Sequence, residues 1–90
     1  MSLAYRVPWI FTRPIRGRRY ALDNLSNERL TGVTVTLFGR GMMPVGPPAV
    51  VDPGMNLELT IYGDDLARDT VGVVRWFRPD GTEWLWRVSF

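Results

Sequence analysis

Apolar and polar side chains alternate along most of this chain, with the two-residue period of half-buried β-strands. The alternation is cleanest where Met55, Leu57, Leu59 and Ile61 interleave with Asn56, Glu58, Thr60 and Tyr62. Val33, Val35 and Leu37 alternate with Thr34 and Thr36, and Tyr20, Leu22 and Asn24 with Arg19, Ala21 and Asp23. Tyr5, Val7, Trp9 and Phe11 follow the same period with Pro8 among them. Proline lacks the N–H a ladder needs, so it confines that strand to an edge or to its first residues. Ala49-Val50-Val51 predicts a short strand.

The segments between are turn chemistry. Arg13–Arg19 is a basic turn broken by Pro14 and Gly17, Leu25–Arg29 a loop, and Gly39–Pro48 a long irregular connection. Asp52-Pro53-Gly54 signals a turn. Gly63–Asp69 predicts a loop or a single helical turn.

The last hairpin allows a sharper prediction. Pro79-Asp80-Gly81 separates two strand patterns. Proline fixes φ near −65°, which suits the first central position of a type I turn and excludes a type I′ turn. Gly81 then takes the left-handed conformation in a three-residue loop. In that register Arg78 pairs near Thr82, Trp76 faces Trp84, and Val74 faces Trp86. Val74, Trp76, Trp84, Trp86 and Val88 share one apolar face, and Arg75, Glu83, Leu85 and Arg87 the reverse.

About seven short strands without a convincing helix predict an all-β domain over residues 1–90, an immunoglobulin-like antiparallel β-sandwich or a small barrel. Met1-Ser2-Leu3 reads as a vector-derived extension.

Tyr20-x-Leu22-x-Asn24, Gly32-Val33-x-Val35, Pro53-Gly54 before Leu57-x-Leu59-x-Ile61, and the hairpin Val74-x-Trp76-x-x-Pro79-x-Gly81 together resemble bacterial immunoglobulin-like accessory domains of the cell-adhesion-related and fibronectin-like kind. The resemblance covers roughly residues 18–90. It implies a sandwich with a binding or spacer role and carries over no catalytic residue. The Trp content and the basic opening lie outside its pattern.

Composition then narrows the chemistry. An apolar fraction of 46% is enough for one core. The chain contains no Cys, His, Lys or Gln. Disulfides, thiolate nucleophiles, imidazole bases, the usual zinc ligand sets and lysine Schiff bases are therefore excluded. The expectation is a protein that is not an enzyme and needs no cofactor. All eleven basic residues are Arg against nine acids, a formal charge of +2. That is too weak a balance to call for nucleic acid. No apolar run is long enough to cross a membrane as a helix. No leader is visible, although a removed one would leave no trace.

Several residues are candidates for function. Arg13, Arg16, Arg18 and Arg19 gather four charges in seven residues. They read as a phosphate or anionic-polymer contact, or more simply as a solvated turn. Trp76, Trp84 and Trp86 read as a stacking platform for sugar rings or bases, or, given their common face, more simply as core; Trp9 and Tyr62 are expected to be the exposed aromatics. Asp64, Asp65 and Asp69 are oxygen donors without the spacing of a calcium loop, and the only carboxylate cluster available for acid–base work. Asn24-Leu25-Ser26 is a glycosylation sequon, though its Asn also suits a turn-holding role. Met42–Val45 could cover the core or meet a partner.

Two functions compete. One is a non-catalytic module for protein–protein contact or assembly, pairing with another chain, or with itself, through a strand edge at residues 5–12 or 82–90. The other is a carbohydrate- or anionic-polymer-binding module using Trp9, Tyr62 and the Arg13–Arg19 loop.

Overall fold

The alternating segments become two antiparallel sheets in the computed structural model, which describes residues 4–90. Met1-Ser2-Leu3 lie outside the described residues. In chain order the strands are β1 (Trp9–Thr12), β2 (Arg19–Asn24), β3 (Leu30–Gly39), β4 (Ala49–Val51), β5 (Asn56–Thr60), β6 (Thr70–Phe77) and β7 (Glu83–Ser89), with one helical turn, α1 (Leu66–Asp69), before β6. One sheet has the order β1-β2-β5 and the other β4-β3-β6-β7. The fold is therefore all-β and sandwich-like.

Inward positions of both sheets meet in one core that includes Leu22, Leu30, Val33, Leu59, Val74 and Trp76. Aromatic pairs join the layers: Trp9 meets Trp76 edge-on at 5.9 Å, and Phe90 meets Phe11 at 5.3 Å and Tyr20 at 5.7 Å.

The first strand begins at Trp9 rather than Tyr5, directly after Pro8, and forms a sheet edge. Tyr5 precedes it and packs on Trp84 at 4.5 Å. The last hairpin has the predicted register, with Trp76 opposite Trp84 and Val74 opposite Trp86. The Arg78 N–H donates to the Thr82 carbonyl at 3.0 Å, and Gly81 has φ 86°. Trp84 and Trp86 are half-buried at the core's margin rather than enclosed in it.

One irregularity in β3 escapes simple alternation. Leu30 and Val33 both point inward although they lie three residues apart. The pairing with β4 and with β6 shifts register between them, and Gly32 there has φ 56°. The extra residue of this bulge restores the inward phase for Val33, Val35 and Leu37.

Candidate functional site

Strand register places the Arg13–Arg18 connection at one end of the sandwich. β1 ends and β2 begins there, Gly39 pairs with Thr70, and Ser89 pairs with Val71. Contacts from the loop reach other elements of that end. The Arg13 guanidinium lies 5.1 Å from the Phe11 ring centre and donates to the Ser89 carbonyl. Arg18 lies over Tyr62 at 5.0 Å, and its carbonyl accepts the Ile61 N–H at 2.9 Å. Tyr62 and Met42 exchange two backbone hydrogen bonds of 2.7 and 2.8 Å.

Four of the six candidate residues are arginines of this turn, and the structure joins Tyr62 to them. Arg13, Arg16, Arg18, Arg19 and Tyr62 are all exposed. Ion pairs among the described residues are Arg29–Asp52, Arg68–Asp65, Arg75–Glu83 and Arg78–Glu28. The four turn arginines therefore face solvent without a carboxylate partner. Sequence reasoning missed Ile15, which sits between Pro14 and Arg16 and is fully exposed at 101%. Its signal was visible: an aliphatic residue inside a polar turn with no strand period to place it. Met42, 71% exposed, adds a second apolar side chain at this end.

Trp9 does not belong to the surface. It was expected to be exposed and is only 5% exposed. The reason is strand parity: Trp9 shares a face with Phe11, and that face is inward. Its indole N–H is the one buried side-chain polar atom without a hydrogen-bond partner among the described residues.

At the opposite end, Arg78 grips Glu28 with two hydrogen bonds of 3.0 Å and lies 4.0 Å from the Tyr5 ring centre. The Trp76 indole donates to the Tyr5 hydroxyl at 3.2 Å. Burial pushes that hydroxyl above its ordinary pKa, against the hydrogen bond and the Arg78 charge. A hollow of ≈ 700 Å³ borders these residues. Every polar group named in it is already partnered within the protein, so the cluster reads as a clasp for the Tyr5 segment.

Two further candidates resolve into structural roles. Asn24 is fully buried, and its amide donates to the Glu28 and Val51 carbonyls at 2.9 and 3.0 Å. Its side-chain oxygen accepts the Ser26 N–H and hydroxyl at 2.9 and 2.7 Å. A sequon asparagine with both amide hydrogens engaged has no free nitrogen to glycosylate in the folded state. Asp64, Asp65 and Asp69 do not converge: Asp65 pairs with Arg68, and Asp69 accepts from the Thr70 hydroxyl at 2.8 Å. Among the described residues no three His, Cys, Asp or Glu side chains form a metal-ligand group.

A groove of ≈ 780 Å³ opens between β3 and β5, with Val35, Leu37 and Leu57 on its walls and the Met42–Pro47 loop along it. Met43 packs toward the core, while Val45 stands in solvent. Comparison of the chain with protein-family models, curated proteins and solved structures returns no match. The geometry alone must carry the functional reading.

Proposed function

We propose that this protein is a non-catalytic, immunoglobulin-like binding module whose working surface is the arginine turn between β1 and β2, and that its partner is anionic. The observation that carries this reading is the set Arg13, Arg16, Arg18 and Arg19, exposed together at one end with no carboxylate against any of them. Apart from the Arg13 bond to the Ser89 carbonyl, these guanidinium groups keep their donors free for phosphate, sulfate or carboxylate oxygens. The strand order supports the immunoglobulin-like part: first, second and fifth strands in one sheet, third, sixth and seventh in the other, with the fourth paired to the third. The missing His, Cys and Lys support the absence of catalysis.

The test is retention on a heparin column, with elution by salt. The parent chain should be retained, and Arg16→Glu with Arg18→Glu should elute far earlier, because each reverses a charge at the contact. Equal elution of parent and double variant would overturn the reading.

A second reading, contact between protein chains, has its own observation. β7 is a seven-residue edge strand with Leu85 62% exposed on its outer face. Light scattering during size-exclusion chromatography, at low and high salt, tests it. A salt-resistant dimer is its expected result, and a monomer at every concentration removes it.

A further inference from the structure

Polyanion binding alone gives Ile15 nothing to do. The side chain is fully exposed at the arginine turn, bounded by Pro14 and Arg16, and touches no core residue. Polysaccharides and nucleic-acid backbones offer charge to the arginines but no apolar volume for an aliphatic group. A lipid surface offers both: anionic headgroups at the depth of the guanidinium groups, and the acyl boundary just beneath.

Resting on the anionic-partner reading, we propose that the β1–β2 turn docks this protein on anionic lipid membranes, with Ile15 entering the acyl boundary between Arg13, Arg16, Arg18 and Arg19. The neighbours on the same end suit that orientation. Tyr62, exposed beside Arg18, is an amphipathic ring of the kind that gathers in membrane interfaces. Arg18 already covers one face of it at 5.0 Å, which disfavours base stacking there and leaves its edge for the headgroup layer. Met42, bridged to Tyr62, adds apolar surface beside it. Of the acids near the turn, Asp23, four residues after Arg19, accepts from the Thr12 hydroxyl. Of Asp64, Asp65 and Asp69 in the β5–β6 connection at this end, Asp65 is engaged by Arg68 and Asp69 by the Thr70 hydroxyl. Net attraction at the turn is therefore positive charge against negative headgroups, steered over about a Debye length and weakened by salt.

The experiment is co-sedimentation of the full chain with phosphatidylcholine vesicles, with and without phosphatidylserine, alongside the heparin column. The parent should bind only the vesicles that contain phosphatidylserine. Ile15→Ser should lower that partitioning about tenfold, the loss expected for withdrawing one aliphatic side chain from an apolar phase, while heparin retention stays unchanged. Because the chain has no cysteine, Ile15→Cys gives a single attachment point for a polarity-sensitive dye. Its emission should move to shorter wavelength only on the anionic vesicles. Heparin retention with no vesicle binding, or vesicle binding indifferent to Ile15→Ser with no dye shift, would overturn the membrane proposal and leave a polyanion contact standing. Failure on heparin and vesicles together would overturn both. Ile15 packs against nothing, so the variants should melt with the parent, and a thermal melt checks that they are folded.

Discussion

Two buried polar side chains carry opposite energetics. Asn24 has every donor and acceptor engaged and ties the end of β2 to the Glu28 loop and to β4 of the other sheet. Replacing it with Ala removes a bond to the Val51 carbonyl and frees the Ser26 turn. The expected loss is about 1–3 kcal/mol, read from urea unfolding. Trp9 presents the reverse case, because its indole N–H is buried without a partner. Trp9→Phe removes that unmet donor along with some packing volume. Its cost should fall below the ~3–5 kcal/mol of a large aromatic truncation to Ala, and comparison of Trp9→Phe with Trp9→Ala by the same method checks it. Part of this was legible in advance. The chain shows that Asn24 ends a strand pattern, and hence its turn role. It also shows Trp9 in phase with Tyr5, Val7 and Phe11, against Arg6, Pro8, Ile10 and Thr12 on the other face, so the alternation itself argued for an inward Trp9; only the missing partner of its indole N–H was out of reach.

Among the elements, the β6–β7 hairpin was the most legible, because Pro79 and Gly81 leave one workable turn and the turn sets every cross-strand pair. The β3 bulge was the least. An extra residue shifts phase locally, and only packing reveals it: a Cβ added at Gly32 would stand 2.7 Å from the Phe77 ring, at a φ that L-residues resist. Gly32→Ala should therefore destabilise the sheet by more than the ~1 kcal/mol of an ordinary strained left-handed residue, again by urea unfolding. The hairpin also carries a pH response. Hydrogen bonds from the Thr82 hydroxyl and N–H hold the Asp80 carboxyl below its ordinary pKa. A lowered folded value means that the ionised form favours the turn. That contribution is complete above the unfolded aspartate value of about 3.9 and is lost as pH falls through the depressed folded value. The Thr82 amide resonance should titrate in that acid window, and Asp80→Ala should abolish the titration.

For the whole molecule, the all-β class and the near-correct limits of most strands followed from alternation, whereas the end-to-end arrangement did not. Tyr62 and the arginine turn lie more than forty residues apart in sequence, and only sheet register brings them together. The same register separates the tied end, where Arg78, Glu28 and Tyr5 satisfy one another, from the arginine end, where the four turn arginines have no carboxylate partner among the described residues.

Of the four edge strands, β1 and β5 in one sheet and β4 and β7 in the other, β5 and β7 differ in kind. Across the groove from β5 runs a connection holding Pro44 and Pro47, residues that offer no N–H to an incoming strand. Along β7, Glu83–Ser89 contains no proline, and Arg13 meets the carbonyl of its last residue. Fibril growth in a heated or long-stored solution should therefore seed on that flank. Leu85→Lys, with charge planted on the outer face of β7, should lengthen the lag before thioflavin fluorescence rises, while a second lysine at Glu58 on β5 should leave it unchanged.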